Sequence, residues 1–295
     1  MSTNSFIPTI WIASLLRVLP KSLVYRAITN ENYKKDVNNT DSVVINQIGT
    51  VSTEDYVQAN GITFNELQTT GQTMLLDQKK DFGIYVDDVN YAQVANGGAL
   101  MDAAMAEAAY SFNDGVDQAL AAEYANAGII GGSGASALGT SASPLEITVD
   151  GGGTSTKVRD WIGALNRRCK EANMPDGMEK TLIIPPWLEQ KMINATLIDN
   201  RGVDNNGTYE NGKITKVQNF TIKVSNNVSS SGTTYRVMAG NSNCIAFADQ
   251  VKRIKYGERS AQFEKFVAGL YVYGYKTIRA DQLLCSQVTE GTEGQ

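Results

Sequence analysis

Residues 73–128 read TMLLDQKKDFGIYVDDVNYAQVANGGALMDAAMAEAAYSFNDGVDQALAAEYANAG, and a change of period inside this stretch decides the fold. Residues 73–77 and 82–86 are β-prone. After Asp87 and Asp88 the pattern changes. Met101, Met105, Ala108, Phe112, Val116 and Ala119 recur at steps of three and four, the spacing of one helix face. Asp102, Glu107, Asp114, Asp117 and Glu123 scatter over the other faces, and the abundant alanine favours helix and close packing. The spacing predicts a helix from Asp87 and Asp88 to about residue 128, with Gly97 and Gly98 interrupting its first turns. Asp87 and Asp88 are expected to serve as cap and first-turn charge. Some 30 residues would span roughly 45 Å, longer than most helices of globular domains, which suggests a structural strut.

Upstream, residues 41–86 look extended. Val43 to Ile48 are β-rich, while residues 58–71 are polar with Asn60-Gly61 as a turn signal. Two long strands with so little apolar surface make a poor independent unit, since an isolated hairpin is marginal in water. Such a stretch is expected to lie across something else, either another copy or the edge of an ordinary sheet. Residues 6–19 carry a helical stripe of Ile7, Ile10, Trp11, Leu15, Val18 and Leu19. Pro8 suits the first turn and Pro20 ends it. This segment packs either on its own core or, as an arm, on a neighbouring subunit.

Downstream, the glycine-rich residues 128–139 and 150–153 bracket a short strand candidate at 144–149, and a domain boundary is placed near 150. A helix is expected at 156–172, a buried strand at 180–184, and a second helix at 187–197 after Pro185-Pro186. A half-buried strand is expected at 220–225, with short strands at 235–238 and 244–248. The clearest strand is the last. Leu270 and Val272 alternate with Tyr271, Tyr273 and Tyr275, and the run continues to about Arg279. Those tyrosines are read as a cross-strand ladder. Mixed helices and strands argue an α+β protein.

The chain has 295 residues with 42% apolar and 19% charged residues, enough to bury a core. It contains no histidine, which removes Ser-His-Asp triads, Cys-His dyads and the usual histidine-containing zinc sites. Cys169, Cys244 and Cys285 are far apart and read as free thiols of a reducing compartment. A net charge of −5 and a pI near 5.0 argue against binding driven by phosphate neutralisation. No segment has the length of a transmembrane helix, and residues 6–19 lack the leading cation of a signal peptide, so a cytoplasmic protein is expected. Residues 128–139 lack the endings of a phosphate-binding loop. Residues 199–207 lack the spacing of a calcium loop. Arg167, Arg168 and Lys170 read as a solvated helix face. No constellation of catalytic, cofactor-binding or metal-ligating residues emerges.

The order of the pieces says more than any one motif. FIPTIWIASLLRVLPKSLV (6–24), DSVVINQIGTVSTEDY (41–56) and TTGQTMLLDQKKDFGIYVDDVNYAQ (69–93) come first. TLIIPPWLEQKMI (181–193), GKITKVQNFTIKVSNNV (212–228), TYRVMAGNSNCIAFADQ (234–250) and FVAGLYVYGYKTIRADQLL (266–284) follow. Together they resemble, over nearly the whole chain, the major capsid proteins of tailed bacteriophages, in the podovirus-type coat group. The resemblance implies the α+β Hong Kong ninety-seven type fold. Residues 1–40 would be an N-arm, and 41–86 an extended loop lying on the next subunit. Residues 87–149 and 246–295 would form a peripheral domain with its spine helix, and 150–245 an axial domain. It also implies hexamers and pentamers closing into an icosahedral shell around double-stranded DNA, assembled in the host cytoplasm. No catalytic activity, cofactor, metal or membrane contact is implied, and DNA would be a neighbour by proximity only. A separate scaffolding protein is implied because the arm begins near Met1. A portal protein and an optional decoration protein complete the expected partners. The implied subunit-interface residues are Ile7, Trp11, Leu15, Tyr56, Asn60 and Phe64. The alternatives weighed are an encapsulin-like compartment protein, which would share the fold, and a carboxylate-based hydrolase.

Overall fold

The structure is a computed structural model, and it describes residues 24–37, 41–49, 53, 55, 64, 66–67, 69–87, 97–132, 134, 137–149, 155–195, 209–210, 213–214, 216–258 and 264–292. Ten strands and three helices carry the argument. The first strands are β1 (Ser42–Ile48), β2 (Thr69–Leu75) and β3 (Gln78–Asp87), followed by helix α1 (Gly97–Ala121). Then come β4 (Leu145–Thr148), α2 (Val158–Glu171), β5 (Lys180–Ile184) and α3 (Pro186–Asn194). The chain finishes with β6 (Phe220–Val224), β7 (Thr234–Asn241), β8 (Ile245–Glu258), β9 (Glu264–Thr277) and β10 (Leu283–Glu290). Two short 3-10 turns, Tyr25–Ile28 and Asn32–Val37, precede β1.

One sheet has four strands in the order Thr29–Asn30, β8, β9, β3. Helix α1 lies on it. Met105, Ala109, Phe112, Val116 and Leu120 form its buried stripe and meet Phe247, Val267, Tyr271 and Tyr273 of the sheet. Phe112 sits with its ring centroid 5.6 Å from Phe82 and 5.5 Å from Tyr271, at edge-to-face and tilted angles that aromatic pairs favour. At 25 residues, α1 spans about 37 Å.

The helix is described from Gly97 to Ala121, and of the expected start only Asp87 lies among the described residues. Asp87 is a strand residue and not a helix cap. It ends β3, where it pairs with Glu264, and the ladder to β9 overrides the local capping signal. Asp88 lies outside the described residues. The tyrosine ladder also differs from expectation. Tyr271, Tyr273 and Tyr275 stack along one strand, with centroids 5.5 Å and 6.3 Å apart, because residues two apart share a face.

The second sheet has eight strands, with the path Lys216–Val217, β6, β5, β7, β10, β4, Thr156–Lys157, while Ser230–Ser231 pairs with β7. Both of its faces are covered. Trp161, Ile162 and Leu165 of α2 and Leu188 and Met192 of α3 pack on Leu182, Ile184, Val237, Ala239, Leu284 and Val288. The alternate residues Ile183, Met238, Leu283 and Cys285 point to the other side and join the core beneath α1. This explains why every residue of β5 is buried: a strand covered on both faces reads as a continuous apolar run. The indole N–H of Trp161 donates to Ser286 Oγ at 2.9 Å, and that hydroxyl donates to the Leu138 carbonyl at 2.7 Å.

The two cores divide the chain differently from a boundary at 150. Ile129, Leu138 and Ile147 belong with α2 and α3. Strand β10, expected among strands returning to the long helix, sits between β7 and β4 in the eight-stranded sheet. Backbone pairing decides this: β10 is antiparallel to β7 over seven residues and parallel to β4.

Candidate assembly surfaces

The stretch 41–86 is not one extended loop. Its last strand, β3, is a full member of the four-stranded sheet, paired with β9 over ten residues. The hairpin of β1 and β2 is a separate two-stranded piece, and its base is anchored in its own chain. Val43, Ile45, Met74 and Leu76 are buried against Ala246, Ala248, Val272 and Ile278. Gly274 makes this possible. A Cβ there would stand 2.2 Å from the Leu75 carbonyl oxygen and 2.9 Å from Leu76 Cα, so only glycine admits the hairpin at this distance. Lys276 Nζ adds a hydrogen bond to the Thr73 carbonyl at 2.9 Å.

The opposite face of the hairpin carries three exposed apolar side chains among polar ones. Val44 is 61% exposed, Ile48 71% and Leu75 57%, and Phe64 in the connection is 91% exposed. Leu67 is exposed as well. Apolar side chains scattered singly need no explanation, but several on one projecting element mark a contact surface. Covering each would contribute about 1.5–3 kcal/mol before entropy is deducted. Phe64, expected at a subunit interface, is exposed in the single chain. Tyr56, Asn60, Ile7, Trp11 and Leu15 lie outside the described residues. Val44, Ile48, Leu67 and Leu75 were not picked out from sequence, although Val43, Val44 and Ile45 in succession signal a strand apolar on both faces.

A second built feature fixes the chain at Val24, where residues 1–23 join it. Buried Asp117 on α1 accepts the backbone N–H groups of Val24 and Tyr25 on Oδ1, both at 2.9 Å. Its Oδ2 accepts from Ser225 and from the Asn227 amide, both at 3.3 Å. Asp114 takes a further bond from Asn227 at 2.7 Å. One carboxylate thus ties the N-terminal segment, the long helix and the turn after β6 together. Next along the chain, Arg26 pairs with Glu31, and Lys34 bridges Glu31 at 3.4 Å and Asp249 at 2.6 Å. The Tyr271 hydroxyl donates to Asp249 at 3.0 Å. Burial, and then the negative charge of Asp249, push the Tyr271 hydroxyl far above the ordinary phenol range, so it stays a donor.

Among the described residues no group of three or more metal-ligating side chains converges, and no helix is long and apolar enough to cross a membrane. Cys169, Cys244 and Cys285 are free and buried. Of the three cationic residues on α2, Lys170 is exposed and the two arginines differ from each other. Arg167 pairs with Glu171 at the exposed surface, while Arg168 also donates to the Ile130 carbonyl at 3.2 Å.

A family model described as phage capsid protein matches residues 76–282, more than half of the chain. No curated protein sequence matches significantly. Among solved structures, one from Mycobacterium phage Che8 superposes with a TM-score of 0.68 at 17% identity, covering 89% of this chain and 90% of that one. The capsid of the cyanophage P-SCSP1u gives 0.60 at 17% identity, with 87% and 85% covered. The capsid of Ralstonia phage GP4 gives 0.59 at 14% identity, with 92% and 89% covered. At these identities the structures speak for the fold, which is of the Hong Kong ninety-seven type. The long strut helix, the hairpin anchored at its base and the matching family model lead to one conclusion: this chain belongs to the phage capsid protein family.

Proposed function

We propose that this capsid protein acts as the major subunit of a tailed-phage shell, its copies forming hexamers and pentamers that close into an icosahedron around double-stranded DNA. The observation that carries this reading is the hairpin of β1 and β2. Its inner face is fixed on its own subunit while its outer face presents Val44, Ile48 and Leu75 to solvent. Many such modest contacts let wrong additions dissociate, yet hold a closed shell by their number. In this reading the four-stranded sheet with α1 is the peripheral domain and the eight-stranded sheet with α2 and α3 the axial domain. Residues 1–23 are the arm, which leaves from the Asp117 junction and anchors through Ile7, Trp11 and Leu15. Tyr56, Asn60 and Phe64 reach the next subunit. Assembly takes place in the host cytoplasm with a separate scaffolding protein, a portal at one vertex and an optional decoration protein. The net charge of −5 suits an inner wall that does not grip DNA. Co-expression with the products of its neighbouring genes, followed by negative-stain microscopy, tests the reading. Closed shells of uniform diameter are expected, and monomers alone would refute it.

A further inference from the structure

Residues 1–23 join the described chain at Val24, and a cleft of about 220 Å³ opens there. Three of the helix residues that line it, Tyr110, Asn113 and Asp114, precede Asp117, the residue that holds Val24. The open space beside Val24 therefore runs back along α1 toward the start of the helix. Tyr110 is 61% exposed on that face, and Ala106, Glu107 and Ser111 are exposed beside it. The charge there is one-sided. No Lys or Arg lies between Lys80 and Lys157, so α1 carries acids and no cation. Asp114 accepts from Asn227 and from Gln118, both neutral, at 2.7 Å each. Among the described residues no cation pairs with Glu107 or Asp114. Residues 1–23 have the opposite bias, with Arg17 and Lys21 and no Asp or Glu.

We propose that residues 17–23 dock on this face of α1 in their own chain, Lys21 against Asp114 and Arg17 against Tyr110 and Glu107. Reach permits both contacts. Lys21 is three residues before Val24 and can stand up to about 10 Å from it, while Asp114 lies about 4.5 Å along the helix from Asp117. Arg17 can stand up to about 24 Å away, and Glu107 lies about 15 Å along the helix. A guanidinium over the Tyr110 ring gains cation–π attraction, and its planar fork suits the Glu107 carboxylate. Exposed ion pairs are individually weak. The anchor at Val24 makes these pairs intramolecular, so a short segment stays in place by them. That anchor is what argues for the chain's own segment rather than the segment of a second copy, which would have to find the face by diffusion. Ile7, Trp11 and Leu15 lie beyond the docked part, which sets the direction in which they leave. The contact is within one chain and does not rest on the shell reading.

Limited trypsin digestion of the dilute isolated chain tests the contact. Cleavage after Arg17 and Lys21, followed by mass spectrometry, reads the fraction of time the segment is undocked. Glu107→Gln together with Asp114→Asn should accelerate both cleavages about five-fold, with cleavage elsewhere in the chain unchanged. Arg17→Glu should accelerate cleavage after Lys21 by a similar factor, and adding Glu107→Arg to it should restore protection. Salt gives a readout that needs no variant. At about 1 M the screening length falls to about 3 Å, and the unaltered chain should lose its protection at these two bonds relative to its other cleavage sites. Equal rates in the unaltered and neutralised chains, or a charge swap that restores nothing, overturn the contact. Protection that disappears in proportion to dilution assigns the face to the segment of another copy and likewise overturns docking within one chain.

Discussion

Gly274→Ala isolates the way the hairpin is held. The new Cβ would meet backbone, 2.2 Å from the Leu75 oxygen and 2.9 Å from Leu76 Cα, so no side-chain rotation relieves it. Two responses compete. Full undocking would expose Val43, Ile45, Met74 and Leu76, at about 1.5–3 kcal/mol each, or roughly 6–12 kcal/mol together. Keeping the hairpin in place with a small backbone retreat costs what overpacking usually costs, about 1–3 kcal/mol. The smaller cost wins. The hairpin should stay docked but open more often, and amide exchange over β1 and β2 should accelerate about five- to hundred-fold. Exchange over Lys180–Ile184, in the other core, should not change. Hydrogen exchange with mass spectrometry reads both regions at once. Unchanged exchange in the hairpin would refute the close-approach argument, and equal acceleration in Lys180–Ile184 would show that the two regions open as one unit.

Asp117→Ala removes the acceptor for two backbone donors at Val24 and Tyr25. Orphaned donors cost about 1–3 kcal/mol each, so urea unfolding should show a loss of about 2–6 kcal/mol, and a loss under about 0.5 kcal/mol would contradict the junction. The thiols supply a pH test. Burial pushes Cys169 up to about 11, and Cys244 and Cys285 to about 12, from an ordinary 9.0. Buried Tyr25 and Tyr271 are raised in the same direction. The folded chain therefore keeps protons that the unfolded chain releases. These groups leave stability unaffected below pH 9 and erode it as pH rises from there through 11–12. Alkaline titration by circular dichroism should show that fall, and thiol reagents at pH 8 should label only unfolded chains. Rapid labelling of native protein would contradict the burial.

Short-range pattern made some elements legible and not others. The strands at 180–184 and 220–224 and the long tyrosine strand were readable because their apolar runs or alternation are unbroken. Helix α2 was readable from Val158, Trp161, Ile162 and Leu165 on one stripe. Strand β8 was seen only at its start. A register shift between Val251 and Arg253 breaks its period, and Lys252, Arg253 and Lys255 make it look like surface. Strand β10 was missed because LLCSQVTE is short of β-branched and aromatic residues, and its burial comes from neighbours far away in sequence. The polar start of β3, residues 78–81, was missed because pairing with β9 overrides its charge. Of the hairpin, the strand at 42–48 was legible from its β-rich run. Its docking on its own sheet was not, since that depends on Gly274, about two hundred residues away. Of the two surfaces on which 41–86 was expected to lie, another copy or a sheet edge, four of its apolar side chains use a sheet of their own chain.

The central claim is that the uncovered face of this hairpin becomes covered when copies meet. Hydroxyl-radical footprinting of Val44, Phe64, Leu67 and Leu75 in isolated chains and in assembled material measures it directly. The account predicts strong labelling of the isolated chain and at least about a several-fold drop after assembly, as expected for apolar side chains removed from water. Labelling that stays the same in both states would contradict it.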